Sequence, residues 1–96
     1  MPDELLKKFL IYTIDDKRVN LWHICIYAAL VYYWEERGHK NPFCITRREI
    51  MTLSHVHSLP TYHKYMNEII EFGFANYQPS YNPFLGSLVW LNTGKL

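Results

Sequence analysis

The sequence has little of what usually marks a small protein's function. Charge of one sign is missing: ten lysines and arginines stand against nine aspartates and glutamates, a formal net charge of +1. No global electrostatic pull toward nucleic acid or acidic lipid therefore operates. Cysteine is scarce, with only Cys25 and Cys44, far apart and each inside an apolar run. That excludes a disulfide-stapled scaffold and predicts two buried, reduced thiols of a cytoplasmic protein. The opening MPDELLKKFL is acidic and lacks the apolar core of a secretory signal. The longest apolar run, Leu21 to Trp34, contains His23 and falls short of the about 20 residues that a membrane span needs. No glycine-rich phosphate loop, no G-x-S-x-G and no close carboxylate pair with a basic partner occurs. Glu35 and Glu36 are adjacent, so they point to different sides of a helix. The chain is read as not an enzyme.

What is present is apolar and aromatic. Hydrophobic residues make up 49% and aromatics 17%, which places the chain among globular proteins with one core. Residues 3–12, DELLKKFLIY, read equally as a short helix or an extended arm, because their period is ambiguous. Residues 1–19 are thus an N-terminal arm or short helix, and 20–96 the main domain. After the polar turn TIDDKRVN, Asn20 is a plausible N-cap for a helix running to Arg37, with Gly38 as its stop. That helix is apolar almost all round, as expected of a central helix or of one with a second face for a partner subunit.

Phe43 to Ile45 forms a short β-leaning segment. TRRE at 46–49 then reads as a capping box, Thr46 reciprocating with Glu49, and opens a short helix, Arg47 to Leu53. Ser58 caps the next helix, with Pro60 in its first turn. Tyr62, Met66, Ile69 and Ile70 recur there at helical spacing, and Gly73 ends it. FANYQ (74–78) and SLVWL (87–91) are β-prone and flank PSYNPFLG, a turn-rich tip, which predicts a hairpin. The order is that of an α+β winged helix-turn-helix: a three-helix core, a short strand before the second helix, and a C-terminal β-hairpin wing.

In such a domain the front of the last helix enters the major groove. Steps of 100° put Tyr62, Met66 and Ile69 on one side. They leave Thr61, His63, Lys64 and Asn67 as candidates for the groove and base edges. Arg47, Arg48 and Ser58, with Ser80, Tyr81 and Asn82 on the wing tip, are the candidates for backbone phosphate. Beyond Phe43 the bases are only Arg47, Arg48, Lys64 and Lys95, against Glu49, Glu68 and Glu71. Useful affinity would then need a dimer, a partner or several adjacent sites.

The runs LWHICIYAAL, ITRREIMTLS, TYHKYMNEIIEFGF and YQPSYNPFLGS carry a resemblance. From Val19 to Leu91 the chain resembles small winged-helix proteins of bacterial mobile elements, often found near integrase and mobilisation genes. The resemblance implies a transcriptional regulator or an excision or mobilisation accessory factor that binds double-stranded DNA.

Other features have structural readings. His55, His57 and Cys44 are the nearest approach to a metal set, but no C-x-x-C or H-x-x-x-H pair completes it, so no metal and no cofactor is expected. His23 reads as a hydrogen-bonded core or interface histidine. Tyr32, Tyr33, Trp34 and Trp90 read as core or subunit contact, and Tyr81 and Phe84 as exposed contact candidates. A homodimer through the first long helix or the N-terminal arm is expected. The alternative is a winged-helix module that binds a protein partner without contacting DNA.

Overall fold

The computed structural model of the protein describes residues 4–80 and 86–96, without the side chain of Lys95. Tyr81, Asn82 and Phe84 lie outside the described residues. The architecture is α+β, with four α-helices and a small antiparallel sheet: α1 (Glu4–Tyr12), α2 (Leu21–Glu36), β1 (Phe43–Ile45), α3 (Arg47–Ser54), α4 (Leu59–Glu71), β2 (Ala75–Gln78) and β3 (Ser87–Leu91). A short 3-10 turn, Thr93–Lys95, follows. No helix among the described residues is long and apolar enough to cross a membrane.

The first segment, open between helix and arm in the sequence, is helical, so the core takes one helix more than the three expected. Leu5 and Phe9, one turn apart, bury one face of α1. The Phe9 ring stacks on Tyr27 of α2 with centroids 3.8 Å apart and meets the edge of Phe74 at 5.0 Å. These three rings lie at the centre of the core, each fully or almost fully buried.

The long helix α2 is central. It packs against α1, α3, α4, β1 and β3, which accounts for its nearly all-round apolar sequence. Its start is fixed twice. The Asn20 side chain accepts from the Trp22 N–H at 2.9 Å, and the Asn20 N–H donates to His23 Nδ1 at 3.0 Å. Because Nδ1 accepts, Nε2 carries the proton and donates to Glu68 Oε1 of α4 at 2.7 Å. The buried imidazole thus couples the start of α2 to the middle of α4. Leu21, Trp22 and Tyr32 remain exposed on the same helix.

The sheet order is β1-β3-β2, with Phe43 and Tyr77 both opposite Val89. The amide of Asn41 closes one end. Its nitrogen donates to the Leu91 carbonyl at 2.9 Å and its oxygen accepts from the Leu91 N–H at 3.0 Å. One expectation is corrected here. Cys44 is exposed and Cys25 only half-buried, because the alternation of β1 turns Phe43 and Ile45 inward and leaves the residue between them outside.

Candidate nucleic-acid interface

The site is assembled from α3, α4 and the two strands after them. At α3 the expected capping box is formed. Thr46 Oγ1 accepts from the Glu49 N–H at 3.1 Å, and Glu49 Oε1 accepts from the Thr46 N–H at 2.8 Å. The other Glu49 oxygen accepts from Arg37 at 3.0 Å. Burial pushes the Glu49 carboxyl up, but the Thr46 N–H and the Arg37 guanidinium outweigh it and hold it below the usual range. With the carboxylate drawn to Arg37 and Thr46, Arg47 and Arg48 stand exposed in the first turn. α3 closes on His55 in the left-handed region, φ +61°, and Val56 is buried beneath the turn.

Ser58 then caps α4, its hydroxyl accepting from the Thr61 N–H at 3.4 Å. That engagement makes Ser58 first a part of the fold. Tyr62, Met66 and Ile69 form the buried face of α4. His63, Lys64 and Asn67 are exposed and Thr61 half-exposed. Lys64 folds over the Tyr65 ring, with Nζ 5.1 Å from its centroid.

These elements enclose a cleft of about 370 Å³. Thr46, Arg47 and Arg48 of the α3 start face Tyr62 and His63 of α4 across it. The strands supply Tyr77, Ser80, Gly86 and Ser87. Four residues singled out in the sequence, Arg47, Arg48, His63 and Ser80, therefore share one recess. Thr61, Lys64 and Asn67 are not among its lining residues. Tyr81 and Asn82 are outside the described residues.

Among the described lining residues there are two guanidinium groups and an imidazole, and no carboxylate. Arg47 and Arg48 also border a second recess of about 480 Å³, shared with Met51, Thr52, His55 and His57. The two arginines thus form a ridge between the recesses. The His55 and His57 rings lie 6.5 Å apart, and no group of three potential metal ligands occurs among the described residues.

Sequence reasoning did not single out Thr46, Tyr62, Tyr77, Gly86 or Ser87 as members of the site. Tyr62 was assigned wholly to the core. Its ring is buried, only 3% of the residue being exposed, yet it lines the cleft. Burial pushes its phenol up to about 12; Tyr77 adds to this and Arg47 opposes it. Tyr77 was not singled out. Its hydroxyl lies 3.0 Å from Ser87 Oγ across the hairpin, a diagonal pair that the period-2 patterns of the two strands could have signalled.

Gly86 shapes one wall. It adopts φ +71°, and a Cβ there would stand 2.6 Å from the Ile45 carbonyl oxygen. Only glycine lets β3 begin this close to the end of β1. Comparison of the chain with family models, curated proteins and solved structures finds no match.

Proposed function

We propose that the chain is a winged helix-turn-helix protein that binds double-stranded DNA. On this reading α3 and α4 are the helix-turn-helix and β2–β3 the wing. The protein is a cytoplasmic bacterial regulator or mobile-element accessory factor and has no catalytic activity. The observation that carries it is the division of α4. One side is buried in the core. The other presents Thr61, His63, Lys64 and Asn67 beside a cleft lined by Arg47 and Arg48. Short polar side chains and one lysine suit a groove, and paired guanidinium groups suit phosphate.

The test is fluorescence anisotropy with duplexes tiled from the region flanking its own gene, beside a random duplex, at two salt concentrations. Saturable binding that favours one tile and weakens with salt is expected. With Arg47 and Arg48 on phosphates, the log–log salt slope should be about −2. Lys64→Glu should cut the affinity while the domain stays folded. Parent-like binding by this variant would show that α4 does not face the DNA.

A second reading draws on a different observation. Ile11, Ile14 and Leu21 are 65%, 78% and 67% exposed, with Leu10, Tyr12 and Trp22 also exposed around them in sequence. Apolar residues left out at the end of α1, the next turn and the start of α2 suit a protein contact, either a second copy of the chain or a partner. A folded protein that binds no tile at micromolar concentration would favour the interaction module.

A further inference from the structure

A largely buried tyrosine lines the cleft. Only 3% of Tyr62 is exposed, and that remnant borders the recess. With its phenol pushed up to about 12, Tyr62 is a neutral donor throughout the physiological range. Arg47 and Arg48 line the same recess, and their own N–H groups, in the first turn of α3, have no intrahelical partner. The Thr46 hydroxyl is committed to Glu49 and leaves those two N–H groups open. The carboxylate of Glu49, next in the chain to Arg48, is held by Arg37 and the Thr46 N–H. Among the described residues that line the recess, the polar side chains are guanidinium groups, an imidazole and hydroxyls, with no carboxylate.

We propose that this cleft binds one sugar-phosphate unit. Its phosphate accepts from the Tyr62 hydroxyl, from Arg47 and from the first turn of α3, and its sugar lies toward Tyr77 and Ser87. A volume of about 370 Å³ is at the lower end of small-ligand sites, which run about 300–1,000 Å³. It has room for more than a bare phosphate. Two sources supply this chemistry, the backbone of a duplex and a free phosphorylated sugar. The inference deepens the DNA-binding reading and rests on it for the first source.

The experiment has two arms on the full chain. In the first, amide NMR follows titrations with inorganic phosphate and with ribose 5-phosphate at constant ionic strength. Saturable shifts are expected at Arg47, Arg48 and Ser87, with ribose 5-phosphate the tighter ligand. Tyr62→Phe should weaken both about tenfold or more, as expected for losing a hydrogen bond to a charged group. Its melting temperature should not fall, since the ring keeps its place on the buried face of α4. Parent-like affinity in Tyr62→Phe overturns the site. So do unsaturating shifts spread over the surface lysines and arginines, the mark of an adventitious ion only.

The second arm measures duplex binding by Tyr62→Phe and Lys64→Glu. Losses in both variants identify the duplex backbone as the source. A loss in Lys64→Glu alone, with Tyr62-dependent sugar-phosphate binding, identifies a free phosphorylated ligand. Sugar-phosphate binding without any duplex binding keeps the site and removes the DNA reading. Intact duplex binding in Tyr62→Phe with no saturable phosphate binding does the reverse.

Discussion

Replacing Tyr27 by phenylalanine is expected to stabilise the protein. Tyr27 is fully buried in α2, with its ring stacked on Phe9 at 3.8 Å and edge-on to Phe74 at 6.4 Å. Its hydroxyl finds no hydrogen-bond partner among the described residues, and burial alone pushes its phenol far above the usual range. A hydroxyl enclosed without a partner costs about 1–3 kcal/mol. The substitution keeps both ring contacts and forfeits only the dispersion of one oxygen, a few tenths of a kcal/mol. A net gain of about 1–2 kcal/mol follows. For a chain of this size each kcal/mol moves the melting temperature by roughly 4–8 °C.

Urea unfolding of parent and variant, followed by far-UV circular dichroism, measures the difference directly, provided that the m-values agree. A loss of about 1 kcal/mol or more in Tyr27→Phe would refute the reasoning, because it requires the hydroxyl to be hydrogen-bonded in the folded protein. Tyr27 also serves as a control for Tyr62. Tyr27→Phe should change stability and leave phosphate binding alone, and Tyr62→Phe should weaken binding without lowering the melting temperature.

Phe9→Ala should cost about 3–5 kcal/mol by the same urea assay, since it empties the centre of the aromatic cluster; a cost under 1 kcal/mol would mean that α1 is not seated in the core. Gly86→Ala should cost at least about 2 kcal/mol. It combines a left-handed backbone with a Cβ 2.6 Å from the Ile45 carbonyl oxygen, and an unchanged melting temperature would contradict that approach. Glu49→Gln should flatten the acid limb of the stability profile. The Glu49 carboxyl is held below its ordinary 4.5, so its contribution is present above that pH and is lost as pH falls through the lower folded value. Parallel parent and variant profiles from pH 6 to 3 would remove Glu49 from the set of pH-dependent groups.

Much of the local structure can be read from short-range chemistry. Thr46 and Glu49 announce their capping box by spacing alone, Ser58 and Pro60 mark the start of α4, and Gly73 marks its end with φ +87°. Tyr62, Met66 and Ile69 share the buried face that their period implies. α1 is less legible because only Leu5 and Phe9 are buried on it, and the exposed Leu10, Ile11 and Tyr12 blur the helical period. The bond from His23 to Glu68 joins residues 45 apart, a distance over which no local pattern reports. The cleft is hidden for the same reason. It exists only when the start of α3, the first turns of α4 and the two strands meet, and Gly86 and Tyr77 acquire their meaning there.

The most direct test of the DNA-binding claim is amide chemical-shift mapping of the full chain titrated with a duplex that it retains at moderate salt. Binding through the proposed face should concentrate the changes at Arg47, Arg48, Thr61, His63, Lys64 and Asn67 and at the cleft ends of β2 and β3. Changes confined to Leu10, Ile11, Tyr12, Ile14, Leu21 and Trp22, or no changes with any duplex, would contradict it.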